Sequence, residues 1–121
     1  MASISPMILE PVLVAGTDPL ASELLGRLRR HGDVPACKVT RPIPRGEALK
    51  VYRQKAAAGD RPHVRTEGYP ELLAALSQAG ESEVLVHGVA FSDVVYLVFT
   101  DAGRTRCVGV LRKIRLPTVR N

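Results

Sequence analysis

Between residues 83 and 114 the chain reads EVLVHGVAFSDVVYLVFTDAGRTRCVGVLRKI. Three Val-rich runs, residues 84–91, 94–100 and 106–114, are separated by short polar breaks. Dense β-branched composition with this spacing predicts an antiparallel β-meander. The second break, Asp101-Ala102-Gly103-Arg104, reads as a two-residue hairpin turn with Gly103 at positive φ and Asp101 opposite Arg104. The first, Ser92-Asp93, reads as a second two-residue loop.

Two such loops set the register, and the register assigns each side chain a face. Val84, Val86, Gly88, Ala90, Val95, Leu97, Phe99, Val108 and Val110 fall on one side, wholly apolar, which is expected to lie under the helices. Leu85, His87, Val89, Phe91, Val94, Tyr96, Val98, Thr100, Cys107, Gly109 and Leu111 fall on the other. That second face is too apolar for a solvated one, where alternate positions should be polar. A subunit partner, the N-terminal segment or a ligand must therefore cover it.

Upstream, residues 11–16 (PVLVAG) read as a short strand. Asp18-Pro19 then signals a helix start, with Asp as N-cap and Pro in the first turn. Leu20, Ala21, Leu24, Leu25 and Leu28 form one stripe at helical spacing, and Gly32 is expected to stop the helix after His31. This strand–turn–helix shape lacks the glycine pattern of a dinucleotide site, since Gly16 stands alone. Residues 36–41 predict a strand ended by Pro42 and Pro44. Residues 47–58 predict a surface helix with a thin stripe of Leu49, Tyr52 and Ala56, and 60–68 a loop. A last helix starts at Pro70, turns Leu72, Leu73, Leu76 and Ala79 inward, and ends at Gly80.

The fold class expected is α+β in a single domain over residues 1–121. It comprises a C-terminal antiparallel meander of three to four strands with two or three helices packed on one face. At 121 residues the chain is long enough to bury about two-thirds of its unfolded surface. No apolar run approaches the roughly 20 residues of a membrane span, and the first residues lack the pattern of a secretory signal. Met7 is an alternative native start, with residues 1–6 a vector remnant. Cys37 and Cys107 fit a reduced, cytoplasmic protein, and neither a metal site nor a cofactor motif is expected.

Charge changes the picture more than composition does. The net charge is +5. Residues 41–65 carry seven basic and two acidic side chains, a net of +5, and residues 66–103 carry six acids and no base, a net of −6. Residues 104–121, which end in a basic tail from 115, carry six bases and no acid, a net of +6. Such asymmetry points to an anionic partner, or to basic surface meeting acidic surface in self-association.

Two groups of residues carry candidate chemistry. Arg41, Arg45, Lys50, Arg53, Lys55, Arg61 and Arg65, joined by Arg112, Lys113 and Arg115, form a surface able to track a phosphate backbone. With Tyr52 the one aromatic of residues 41–65 and no Trp in the chain, a stacking platform for bases is not expected. His87, Tyr96, Thr100 and Cys107 share the second sheet face and are candidates for a ligand pocket. His87 and Cys107 would sit in one cross-strand row on either side of Val98, about 9–10 Å apart. That is beyond the reach of direct proton transfer.

Three functions follow in order of expectation. The first is a binding module that self-associates through the second sheet face. The second is a nucleic-acid (RNA) binding or RNA-cleaving domain using residues 41–65 and 104–121. The third is an enzyme built on His87, Tyr96 and Cys107.

Overall fold

The structure, a computed structural model, describes residues 2–3, 6–16, 18–30 and 35–116. Strands β1 (Ala2–Ser3), β2 (Ala36–Val39), β3 (Ile43–Pro44), β4 (Val64–Glu67), β5 (Glu83–Ala90), β6 (Val94–Asp101) and β7 (Cys107–Arg115) form one sheet. Its order is β1-β2-β5-β6-β7-β4, with β3 also on β5, and every pairing is antiparallel. Helices α1 (Glu10–Ala15), α2 (Pro19–Leu28), α3 (Arg45–Ala58) and α4 (Tyr69–Gln78) complete an α+β fold. Among the described residues, no helix is long and apolar enough to cross a membrane.

The meander is present, and its first hairpin has the expected register. Ala90 pairs with Val95, Gly88 with Leu97 and Val84 with Asp101, while Phe91 N–H closes the Ser92-Asp93 turn on Val94 O at 2.8 Å. The second hairpin differs. Arg104 N–H closes the Asp101–Arg104 turn on Asp101 O at 3.0 Å, but Asp101 N–H bonds to Arg106 O, so the loop is longer, and the residue at positive φ is Arg104 (57°), not Gly103. The Asp101 carboxylate organises this longer loop by accepting from Thr105 N, Thr105 Oγ1 and Arg106 N at 2.6–2.7 Å. A bulge follows: Thr100 pairs with Cys107 but Phe99 pairs with Gly109. One extra residue reverses every later side chain, so Val110 moves to the face of Val98 and Leu111 to that of Leu97.

Helices cover both faces, which corrects the one-sided packing expected. On one side α3 and α4 bring Ala48, Leu72 and Leu76 against Val84, Val86, Phe99 and Leu111. On the other, α1 and α2 bring Leu9, Leu13, Ala21 and Leu24 against Val89, Phe91, Val94, Tyr96, Val98 and Val110. The second sheet face is therefore buried by the chain's own N-terminal segment. The apolar surface that motivated a self-associating module is not available for a partner.

That cover is built from residues expected to be a strand. A 3-10 turn (Pro6–Leu9) leads into α1, with Pro11 in its first turn where a missing N–H costs nothing. Val12 and Val14 suggested β structure. In the fold, Leu9 and Leu13 lie four apart on one helical face and are 0% and 1% exposed. Burial of that face outweighs a weak local preference. α2 is as expected at its start, Asp18 accepting from Leu20 N at 2.8 Å, and it ends at Leu28. The proposed stop at His31 and Gly32 lies outside the described residues, as do residues 117–121 of the tail.

Residues 64–67, expected within a loop, form β4 on the outer edge of β7. Its outward N–H groups are capped locally, Val64 N by Arg61 O at 3.1 Å and Thr66 N by Asp60 Oδ1 at 2.9 Å. This blunts an edge that would otherwise invite another strand. Gly68 then turns the chain into α4 at φ 102°, where an added Cβ would lie 2.9 Å from Val110 O and 3.0 Å from Leu20 Cδ1. Only glycine fits both the backbone and the space.

Candidate functional site

The ten basic candidates divide by what they touch. Arg45 Nη1 donates to Leu76 O at 2.8 Å, holding one of the last carbonyls of α4. Arg112 bridges Glu23 on α2 and Glu67 on β4, and Arg65 pairs with Glu67 at 3.1 Å. The acidic stretch 66–103 thus meets the basic C-terminal stretch inside one chain, for Arg106 pairs with Glu81 as well. Arg41 is exposed ahead of β3. Lys50 and Arg53 lie together on one flank of α3, beside Gly46 and Ala57. These six do not form a common site.

The remaining four converge. Lys55 on the last turns of α3, Arg61 in the following loop, and Lys113 and Arg115 on β7 line one cleft of about 440 Å³. The strand period places them there. Lys113 and Arg115 are two apart on β7, opposite Thr66 and Val64 of β4, with Val95 of β6 beyond Lys113. Tyr69 from α4 and Asp60 complete the wall. None of the four cations has an ion-pair partner among the described residues.

The electrostatics of the cleft follow from that crowding. Lys113 is half-buried, and its ammonium is held below the usual lysine range by burial and then by the charges of Lys55 and Arg61. Lys55 Nζ lies 5.6 Å from the centre of the Tyr52 ring, whose own edge meets Phe99 at 4.8 Å between centroids. Burial pushes the Tyr69 hydroxyl up, and the nearby Asp60 charge adds to it. The cleft therefore presents four cationic side chains against one carboxylate, Asp60, with a neutral phenol and the Thr66 hydroxyl among them. An anion with several oxygens fits this lining. Thr66 was missed in the sequence because 60–68 read as a loop, and Tyr69 because it fell between that loop and the helix start at Pro70; the alternation of Val64 and Thr66 was the available signal.

The second group does not make a pocket. His87, Tyr96 and Thr100 are 0%, 1% and 0% exposed, inside the layer beneath α1 and α2. The Tyr96 hydroxyl donates to the Glu23 carboxylate. Burial raises the Tyr96 hydroxyl, and the Glu23 hydrogen bond and charge raise it further. For Glu23, burial pushes the carboxyl up, but hydrogen bonds from Tyr96 and Arg112 outweigh it and the net shift is downward. Thr100 gives its one hydroxyl hydrogen to Asp101 O at 3.0 Å, so His87 Nε2–H is the donor in the 2.8 Å contact with Thr100 Oγ1. His87 Nδ1 is left bare and buried, with no partner among the described residues.

The expected row of His87, Val98 and Cys107 is also corrected. The longer loop and the bulge together make it His87, Val98 and Val110, and Cys107 instead lies opposite Thr100. Its thiol points to Gly109 O at 3.8 Å and is pushed up to about 11, by burial first and then by the Asp18 charge. Such a thiol stays protonated near neutral pH and is a poor nucleophile. His87 is pushed down to about 4 by burial and then by Arg104, so it is neutral there. Comparison with protein-family models, with curated proteins and with solved structures finds no match to this chain.

Proposed function

We propose that the protein is a binding module for the phosphates of a nucleic acid, RNA in the first instance, engaged at the cleft of Lys55, Arg61, Lys113 and Arg115. One observation carries this reading: four cations from α3, the loop after it and β7 meet in one concavity whose lining carboxylate, Asp60, accepts from Thr66 N and forms an ion pair with none of them among the described residues. Five other arginines, Arg27, Arg29, Arg65, Arg106 and Arg112, are bound to Glu10, Glu23, Glu67, Glu81 or Asp93. A net charge of +5 favours the approach of a polyanion at long range. Binding is set by phosphate contacts and not by base reading, because the cleft offers one phenol and no exposed aromatic pair. The cytoplasmic setting expected from two free thiols belongs to the same proposal.

Retention of a labelled random RNA, followed by anisotropy as salt is raised from about 50 mM, tests it. Lys113→Ala and Arg115→Ala should each weaken binding on every sequence and lower the salt slope by roughly one. Lys50→Ala with Arg53→Ala, on the other flank of α3, should leave the slope unchanged. Failure of the wild-type chain to retain either RNA or duplex DNA at low salt overturns the reading.

A further inference from the structure

The cleft holds a lysine in a setting unlike that of the others. The chain has four lysines. Lys38, Lys50 and Lys55 are exposed, whereas Lys113 is half-buried on the strand that floors the cleft. Among the described residues no carboxylate pairs with Lys113, and the cations of Lys55, Arg61 and Arg115 share its cavity with the single carboxylate of Asp60. An amine among fixed positive charges spends more of its time unprotonated than a solvated one, and the same charges recruit an anionic reagent to it. The lowered proton affinity of Lys113 follows from this surrounding.

We propose that Lys113 is a modification site for small acyl phosphates, the cleft holding the phosphate while the Lys113 amine takes the acyl group. This rests on the reading of the cleft as an anion site. In the step, the unprotonated Nζ attacks the carbonyl carbon and a C–N bond forms. The C–O bond to phosphate breaks, inorganic phosphate leaves with the electron pair, and the nitrogen gives a proton to solvent. No oxidant or reductant takes part. The product is a neutral amide in place of the central cation, so acylation weakens the hold of the cleft on phosphates.

Acetyl phosphate is the probe, applied to the full chain at about pH 8, below the ordinary lysine range. Peptide mass spectrometry then reads the rate of acetylation at each of the four lysines. Lys113 should react several-fold faster than Lys38 and Lys50, inorganic phosphate should remove that preference, and Arg115→Ala should reduce the rate at Lys113 without changing it at Lys38. A rate at Lys113 equal to or below that at Lys38 overturns the proposal. The two readings fail separately. RNA retained by a chain whose lysines react alike leaves the nucleic-acid site standing and removes the acylation. Phosphate-sensitive selectivity at Lys113 in a chain that retains no RNA removes the nucleic-acid reading and keeps the small-anion site.

Discussion

Arg27 and Asp93, 66 residues apart, meet through two hydrogen bonds of 3.1 and 2.9 Å, and the same guanidinium lies 4.3 Å from the centre of the Phe91 ring. This contact fastens α2 to the turn between β5 and β6. The two partners are not equally placed: the Arg27 side chain is 18% exposed and that of Asp93 64%. Arg27→Ala loses packing on Phe91 as well as the pair and should cost about 1 kcal/mol or more. Asp93→Ala should have a smaller effect that fades with added salt. Urea midpoints at low and high salt check both, and equal losses for the two variants would contradict the assignment.

Gly68 offers a backbone test. Gly68→Ala forces a side chain onto φ 102° and against Val110 O, and should destabilise by more than about 1 kcal/mol. Gly80→Ala, with open space around it and no positive φ, is the matched control and should be close to neutral. Thermal melts of the two variants side by side decide it.

His87 sets a pH dependence. Its folded-state value of about 4 lies below the ordinary 6.5, so between these values the unfolded chain takes up a proton that the folded chain does not. Stability should therefore fall as pH drops through this window, by up to about 1.4 kcal/mol per pH unit from this group. Below about pH 4 both states carry the proton and the slope from His87 vanishes. His87→Gln should flatten the difference in melting temperature between pH 7 and pH 4.5. Parallel curves for the variant and the wild type would show that other groups govern the acid limb.

Arg45 separates structure from binding among the basic residues. Arg45→Ala leaves Leu76 O in the last turn of α4 without its donor and should destabilise by about 1–3 kcal/mol. The salt dependence of RNA binding, measured where the variant is folded, should not change. A lower salt slope with unaltered stability would place Arg45 at the interface instead.

Much of this fold was legible in local pattern. The Val-rich runs, the Ser92-Asp93 hairpin with its register, and the Asp18-Pro19 helix start depend on neighbours in sequence, and each is found. The stripe of Ala21 and Leu24 on α2 and that of Leu72 and Leu76 on α4 were equally plain, because periodicity reports which side of an element is buried. Periodicity does not report against what. That two apolar stripes lie on opposite faces of one sheet is a property of chain crossing, and it decided whether the second face of the meander was open or filled.

The same limit governs the candidate site. Residue type marked ten cations, but whether each is bound to a carboxylate depends on strands and helices distant in sequence, as Arg112 with Glu23 and Glu67 shows. A single bulge between Phe99 and Thr100 exchanged the faces of Val110 and Leu111, and the longer loop before it separated Cys107 from the His87 row. Beyond that bulge Gly109 lies against Leu72 of α4, where an added Cβ would be 2.9 Å from Leu72 Cδ1, a contact between residues distant in sequence. The sequence by itself determined the meander strands and the stripes of α2 and α4, which are local free-energy choices, whereas residues 11–16 and 64–67 took their structure from what they pack against. Only the tertiary structure decided which charges remained without partners, because neutralisation is a contact between surfaces that folding brings together.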